Sequence, residues 1–117
     1  MKNIKSEDIF DAKKITTIAS ELASLNSGII VFGLPHSGKS TLVRAICSKD
    51  KRFKTLDEEE ILSDEDARAI LQKSKTFWCV SHQFPGQNQD VSEDYLRGFC
   101  EGVGLNQKEW LIVKIVK

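Results

Sequence analysis

The sequence predicts an α/β domain of three layers: a mostly parallel sheet of about four strands with helices on both faces. Three observations lead there. Apolar runs of strand length alternate with stretches of helical periodicity, in the order α-β-α-β-α-β-α-β. Strands separated by helices pair in parallel, with right-handed crossovers. The run Ile29-Ile30-Val31-Phe32 is wholly apolar and mostly β-branched, which suits a strand covered on both faces. Glycines at 33 and 38 follow it, where the chain must turn from strand into helix.

The first helix is predicted over residues 6–25, with Ser6 as its cap and Glu7 and Asp8 near the positive end of the helix dipole. Ile9, Ala12, Ile15, Ile18, Ala19, Leu22 and Leu25 recur at helical spacing and form one apolar stripe. Asn26-Ser27-Gly28 ends it. The buried strand occupies residues 29–33, and a second helix runs from Lys39 to about Ser48, offering Leu42, Val43, Ala45 and Ile46 to the core. Residues 53–56 form a short strand. Ser63-Asp64-Glu65-Asp66 has the form of a capping box and opens a helix to about Lys73 that buries Ala67, Ile70 and Leu71. Residues 76–81 are the next strand, and 83–90 a polar loop with Pro85-Gly86 as its turn. Ser92 caps a further helix carrying Leu96, Phe99 and Cys100, which Gly102 and Gly104 end; residues 110–116 are the last strand.

The 117 residues suffice for one domain, 1–117, and no linker divides them. Seventeen Lys and Arg balance seventeen Asp and Glu, which removes any bulk electrostatic attraction to nucleic acid or an anionic membrane. The basic run Lys49, Lys51, Arg52, Lys54 sits beside the acidic run 57–60, and both read as solvated loop. Cys47, Cys79 and Cys100 are odd in number, lack CxxC spacing and lie in apolar runs. They read as buried thiols of a cytoplasmic protein. The start of the chain lacks the apolar core of a signal peptide, and no apolar stretch approaches the length of a membrane span.

The chemistry concentrates at Gly33-Leu34-Pro35-His36-Ser37-Gly38-Lys39-Ser40. Gly33, Gly38, Lys39 and Ser40 satisfy GxxxxGK[ST] in full, between a buried strand and a helix, which is the context a phosphate-binding loop requires. The glycines let the backbone turn tightly and approach phosphate. Amides from His36 through Ser37 to Ser40 point into the loop, and the helix N-terminus adds its positive dipole end. Lys39 reaches the β- and γ-phosphates, Ser40 places its hydroxyl on Mg²⁺, and Thr41 touches the α-phosphate. The expected fold is thus of P-loop NTPase type and the expected cofactors are ATP and Mg²⁺. GTP is disfavoured because no Asn/Thr-Lys-x-Asp segment reads a guanine.

Hydrolysis needs a carboxylate for Mg²⁺ and a second to polarise water. Phe53-Lys54-Thr55-Leu56-Asp57-Glu58 offers both, Asp57 for the metal and Glu58 for the water. Residues 57–60 equally read as a solvated loop before the next helix. Ser81 and His82 end a strand, where a polar group senses the γ-phosphate, or where a His simply meets solvent. Trp78 and Trp110 read as core.

Residues 22–42, Leu-Ala-Ser-Leu-Asn-Ser-Gly-Ile-Ile-Val-Phe-Gly-Leu-Pro-His-Ser-Gly-Lys-Ser-Thr-Leu, resemble the start of the motor domain of type II and type IV secretion and pilus-retraction ATPases. Glu60-Ile61 through Ala67 is similar to that family's acidic box, without its Gly and Arg, and Val80-Ser81-His82 to its Thr-x-His segment. The resemblance implies a reduced motor core hydrolysing ATP, in a homo-oligomer or larger protein assembly joined through arginines such as Arg52, Arg68 or Arg97. Leu56-Asp57-Glu58 with Val80-Ser81-His82 also resembles the Walker B and switch-histidine segments of transporter-type ATPases, whose Leu-Ser-Gly-Gly-Gln signature is absent. Both resemblances imply the loop strand, the sensor strand and the acidic strand side by side. A non-catalytic nucleotide-binding regulatory or adaptor module is the alternative. A small phosphotransferase ranks last, since no arginine cluster suggests a lid.

Overall fold

Ile29, Ile30, Val31 and Phe32 are each no more than 1% exposed, and their strand, β2 (Gly28–Gly33), holds the centre of the sheet. A computed structural model of the chain describes residues 1–55, 77–102 and 110–117. Among these, five strands pair in the order β1 (Lys2–Lys5), β5 (Trp110–Val116), β2, β4 (Phe77–Gln83) and β3 (Phe53–Lys54). Every pairing is parallel. Four helices accompany them: α1 (Ser6–Ile9), α2 (Ala12–Ala23), α3 (Lys39–Lys49) and α4 (Glu93–Gly102), with a 3₁₀ turn at Pro85–Gln87. The helix predicted over 63–73 lies outside the described residues.

Strand alternation sends successive side chains to opposite faces, and two cores result. Ile29 and Val31 join Cys79 and Val113 under Ala19 and Leu22 of α2 and Leu42, Val43 and Ile46 of α3. Ile30 and Phe32 join Trp78, Val80 and Ile112 under Leu96 and Cys100 of α4, with Phe84 beside them. Helices therefore cover both faces, as the composition of β2 demands.

The structure departs from expectation at the N-terminus. Lys2–Lys5 is an edge strand on β5, buried only at Ile4. Its lysines guard the open edge against further pairing, and one apolar residue among four gives little sequence signal. The single helix predicted over 6–25 is two. Asp11 breaks it, accepting hydrogen bonds from the Lys13 and Lys14 amides at 3.0 Å each and so capping α2. Ser6 is not a cap: α1 has no side-chain cap hydrogen bond, and the Ser6 hydroxyl is used elsewhere. At the other end of α2, Asn26 takes a left-handed φ of 52°, which suits a helix stop.

Candidate functional site

The 33–40 loop leaves the C-terminal end of the central strand. Its first turn follows from three residues. Pro35 fixes its own φ, His36 adopts φ 62°, and the Ser37 amide donates to the Leu34 carbonyl at 3.2 Å, the type II pattern. Gly38 follows at φ 106°, while Ser37 between them is not left-handed. Such alternation aims successive amides into one concavity, a shape that receives anions. α3 then starts at Lys39 with no side-chain cap, and its first helical bond runs from the Leu42 amide to the Gly38 carbonyl at 2.9 Å. The Ser40 and Thr41 amides, in the first turn, have no acceptor within the helix.

Two close approaches hold the loop in this shape. A Cβ at Gly33 would lie 2.4 Å from Ser37 Oγ and 2.9 Å from Lys39 Cγ. A Cβ at Gly38 would lie 2.8 Å from Ile9 Cγ2. The second contact means that α1 packs directly against the loop, and Ile9 is 1% exposed there. Ser6 completes the attachment: its hydroxyl donates to the Ser37 carbonyl at 2.6 Å.

Over the loop lies a cavity of about 340 Å³ lined by Phe10, His36, Gly38, Lys39, Ser40 and Thr41. The Lys39 ammonium donates to the Leu34 carbonyl at 2.9 Å. Ser37 Oγ is buried and has no hydrogen-bond partner among the described residues. No family model matches the chain, and no curated protein or solved structure matches it either.

The structure thus brings His36, Gly38, Lys39, Ser40 and Thr41 together around one cavity, with Gly33 and Ser37 in the same loop but not on its wall. It does not bring His82 there. His82 is the strand partner of Phe32, so its ring turns to the α4 face, 4.8 Å from the Phe99 ring and 5.9 Å from that of Phe32. Its Nδ1 meets the Gln83 carbonyl. Asp57 and Glu58 lie outside the described residues. β3, which precedes them in the chain, pairs with β4 and not with β2, so these three strands stand in the order β2-β4-β3, with about 10 Å between the outer two. Arg52 pairs with Asp50 at 2.7 Å and Arg97 with Glu93 at 2.6 Å; neither lines the cavity. Arg68 is outside the described residues.

Three residues at the site escaped sequence reasoning. Ser6 reads as a helix cap in any one-dimensional pattern, and its contact with Ser37 spans 31 positions. Phe10 falls off the apolar stripe of the predicted helix and carries no other signal. Gln83 reads as the start of a polar loop, yet β4 extends to include it, and it pairs with Gly33. Paired residues share a face, so Gln83 stands on the side of the sheet that Ser37 and Lys39 occupy. The signal that could have found it is parity: the residue after an inward-facing His must face the other way.

Proposed function

We propose that the chain is a P-loop protein that binds ATP with Mg²⁺ at the Gly33–Ser40 loop. One observation carries this reading: left-handed residues at 36 and 38 form a concavity at the uncapped start of α3, with Lys39 and Ser40 on its wall. The concavity suits a polyanion, the lysine would supply the countercharge, and the Ser40 hydroxyl would serve as a ligand to Mg²⁺.

Hydrolysis of the secretion-ATPase type, within an assembly, is the fuller form of the proposal and rests on the likeness of residues 22–42. Gln83 abreast of Gly33 supports it, because a glutamine beside the loop can orient an attacking water. The competing reading is a non-catalytic regulatory or adaptor module. It is favoured by the cavity lining, which holds no carboxylate among the described residues.

Titration of Mg·ATP followed by phosphate release, with and without Glu58→Gln, separates the two. Turnover that rises with protein concentration and is lost in the variant supports the motor. Tight binding with no turnover at any concentration supports the adaptor. Absence of Mg·ATP binding would overturn both.

A further inference from the structure

Phe10 is 62% exposed and forms part of the wall of the loop cavity, where it is the one phenyl ring beside the imidazole of His36 among the lining residues. Its place matters more than its exposure, since single exposed apolar side chains are common. The ring tip abuts the loop: a Cβ at Gly38 would lie 3.4 Å from Phe10 Cζ. Thr41, the residue expected to touch the α-phosphate that carries the nucleoside, lines the same cavity. The volume of about 340 Å³ is within the range of small-molecule sites and exceeds what a phosphate chain alone would fill.

Phe10 is also held from both sides. The preceding residue, Ile9, is anchored in the core against Gly38. The following residue, Asp11, caps α2. The Phe10 amide reaches back to the Ser6 carbonyl at 3.4 Å, and Ser6 itself is bonded to the loop. A platform fixed before the ligand arrives loses little entropy on binding.

We propose that Phe10 is the surface on which the base of the bound nucleoside triphosphate stacks. This rests on the reading of the 33–40 loop as a triphosphate site and deepens it. It makes the ligand a nucleotide and not a bare polyphosphate. Stacking on an aromatic face is tolerant of base identity, so Phe10 supplies affinity for a base without choosing adenine over guanine.

The test titrates Mg·ATP and Mg·tripolyphosphate against the full chain, Phe10→Ala, Phe10→Trp and Lys39→Ala. Phe10→Ala should weaken ATP roughly tenfold and leave tripolyphosphate unchanged. Phe10→Trp should restore ATP affinity, and the emission of its exposed indole should be quenched by Mg·ATP and not by tripolyphosphate. Lys39→Ala should weaken both ligands. ATP affinity that survives Phe10→Ala, with both ligands lost in Lys39→Ala, overturns the stacking role and leaves the phosphate loop standing. Equal loss of both ligands in Phe10→Ala also overturns it, making Phe10 a support of the loop. Failure of the unaltered chain to bind either ligand overturns both proposals.

Discussion

The ammonium of Lys39 donates to the carbonyl of Leu34 across 2.9 Å, so the lysine of the loop folds back over the turn that precedes it. That carbonyl is a neutral acceptor. A phosphate oxygen is an ionised one, and charge-assisted bonds are roughly twice as strong. Ligand binding would therefore draw the ammonium from Leu34 to the phosphates. Lys39→Ala should weaken Mg·ATP by about 10- to 100-fold, the value of a hydrogen bond to a charged group, and leave the thermal midpoint nearly unchanged, because Lys39 is only half buried. Calorimetric titration and thermal denaturation of the same preparation check both halves.

The two glycines should fail differently. At Gly38 a side chain meets both a φ of 106° and the well-buried Ile9, and neither can yield cheaply. Gly38→Ala should cost about 2 kcal/mol or more, seen as a lower urea midpoint. At Gly33 the obstacles are Ser37 Oγ and the Lys39 stem, which can rotate away. Gly33→Ala should then spare stability relative to Gly38→Ala but displace the very groups that line the loop, and ligand affinity should fall more than the urea midpoint does. Adding Ser37→Ala removes the nearest obstacle and should recover part of that affinity.

Ser6 provides a separable test of how α1 shapes the loop. Ser6→Ala deletes a 2.6 Å bond to the Ser37 carbonyl in a partly buried place. The expected loss is about 1 kcal/mol of unfolding free energy, with less than tenfold loss of ligand affinity because the turn at Leu34–Ser37 keeps its own hydrogen bond. If Ser6 were instead a helix cap, the loss would appear in stability alone, and affinity would not move.

How far these features were visible in the sequence depends on the range of the interaction that makes them. The central strand and the helix after the loop were legible because local composition determines both: four apolar residues in succession, then glycines and a helix former run. The layered sheet followed from alternation of elements. The split at Asp11 was not legible, since the apolar stripe of residues 9–22 passes through it and only the three-dimensional closure of α1 onto Gly38 requires a corner there. Nor was β1, whose pairing with β5 joins residues about as far apart in the chain as any can be. Within the site, the loop residues were found by spacing, whereas the facing of His82 and Gln83 was decided by the strand register against Phe32 and Gly33, which depends on where β4 ends.

Behind the loop, α3 and β4 bring two thiols into contact. Cys79 is buried in β4 and Cys47 half-buried in α3. The Cys79 thiol donates its hydrogen bond to Cys47, which lowers the Cys47 pKa below the usual thiol value. That same bond, with burial added, pushes Cys79 upward. Of the two, Cys47 is the less buried thiol and the one whose proton leaves first. The nucleophile is the thiolate, so alkylation of folded protein by iodoacetamide should label Cys47 ahead of Cys79 and Cys100, with a pH midpoint below that of a free thiol. Cys79→Ala removes the donor and should move that midpoint upward, slowing labelling at neutral pH while leaving the rate at high pH little changed. Peptide mapping of the alkylated sites across a pH series reads the shift directly. An unchanged midpoint in Cys79→Ala would mean that the two sulfurs do not share a proton.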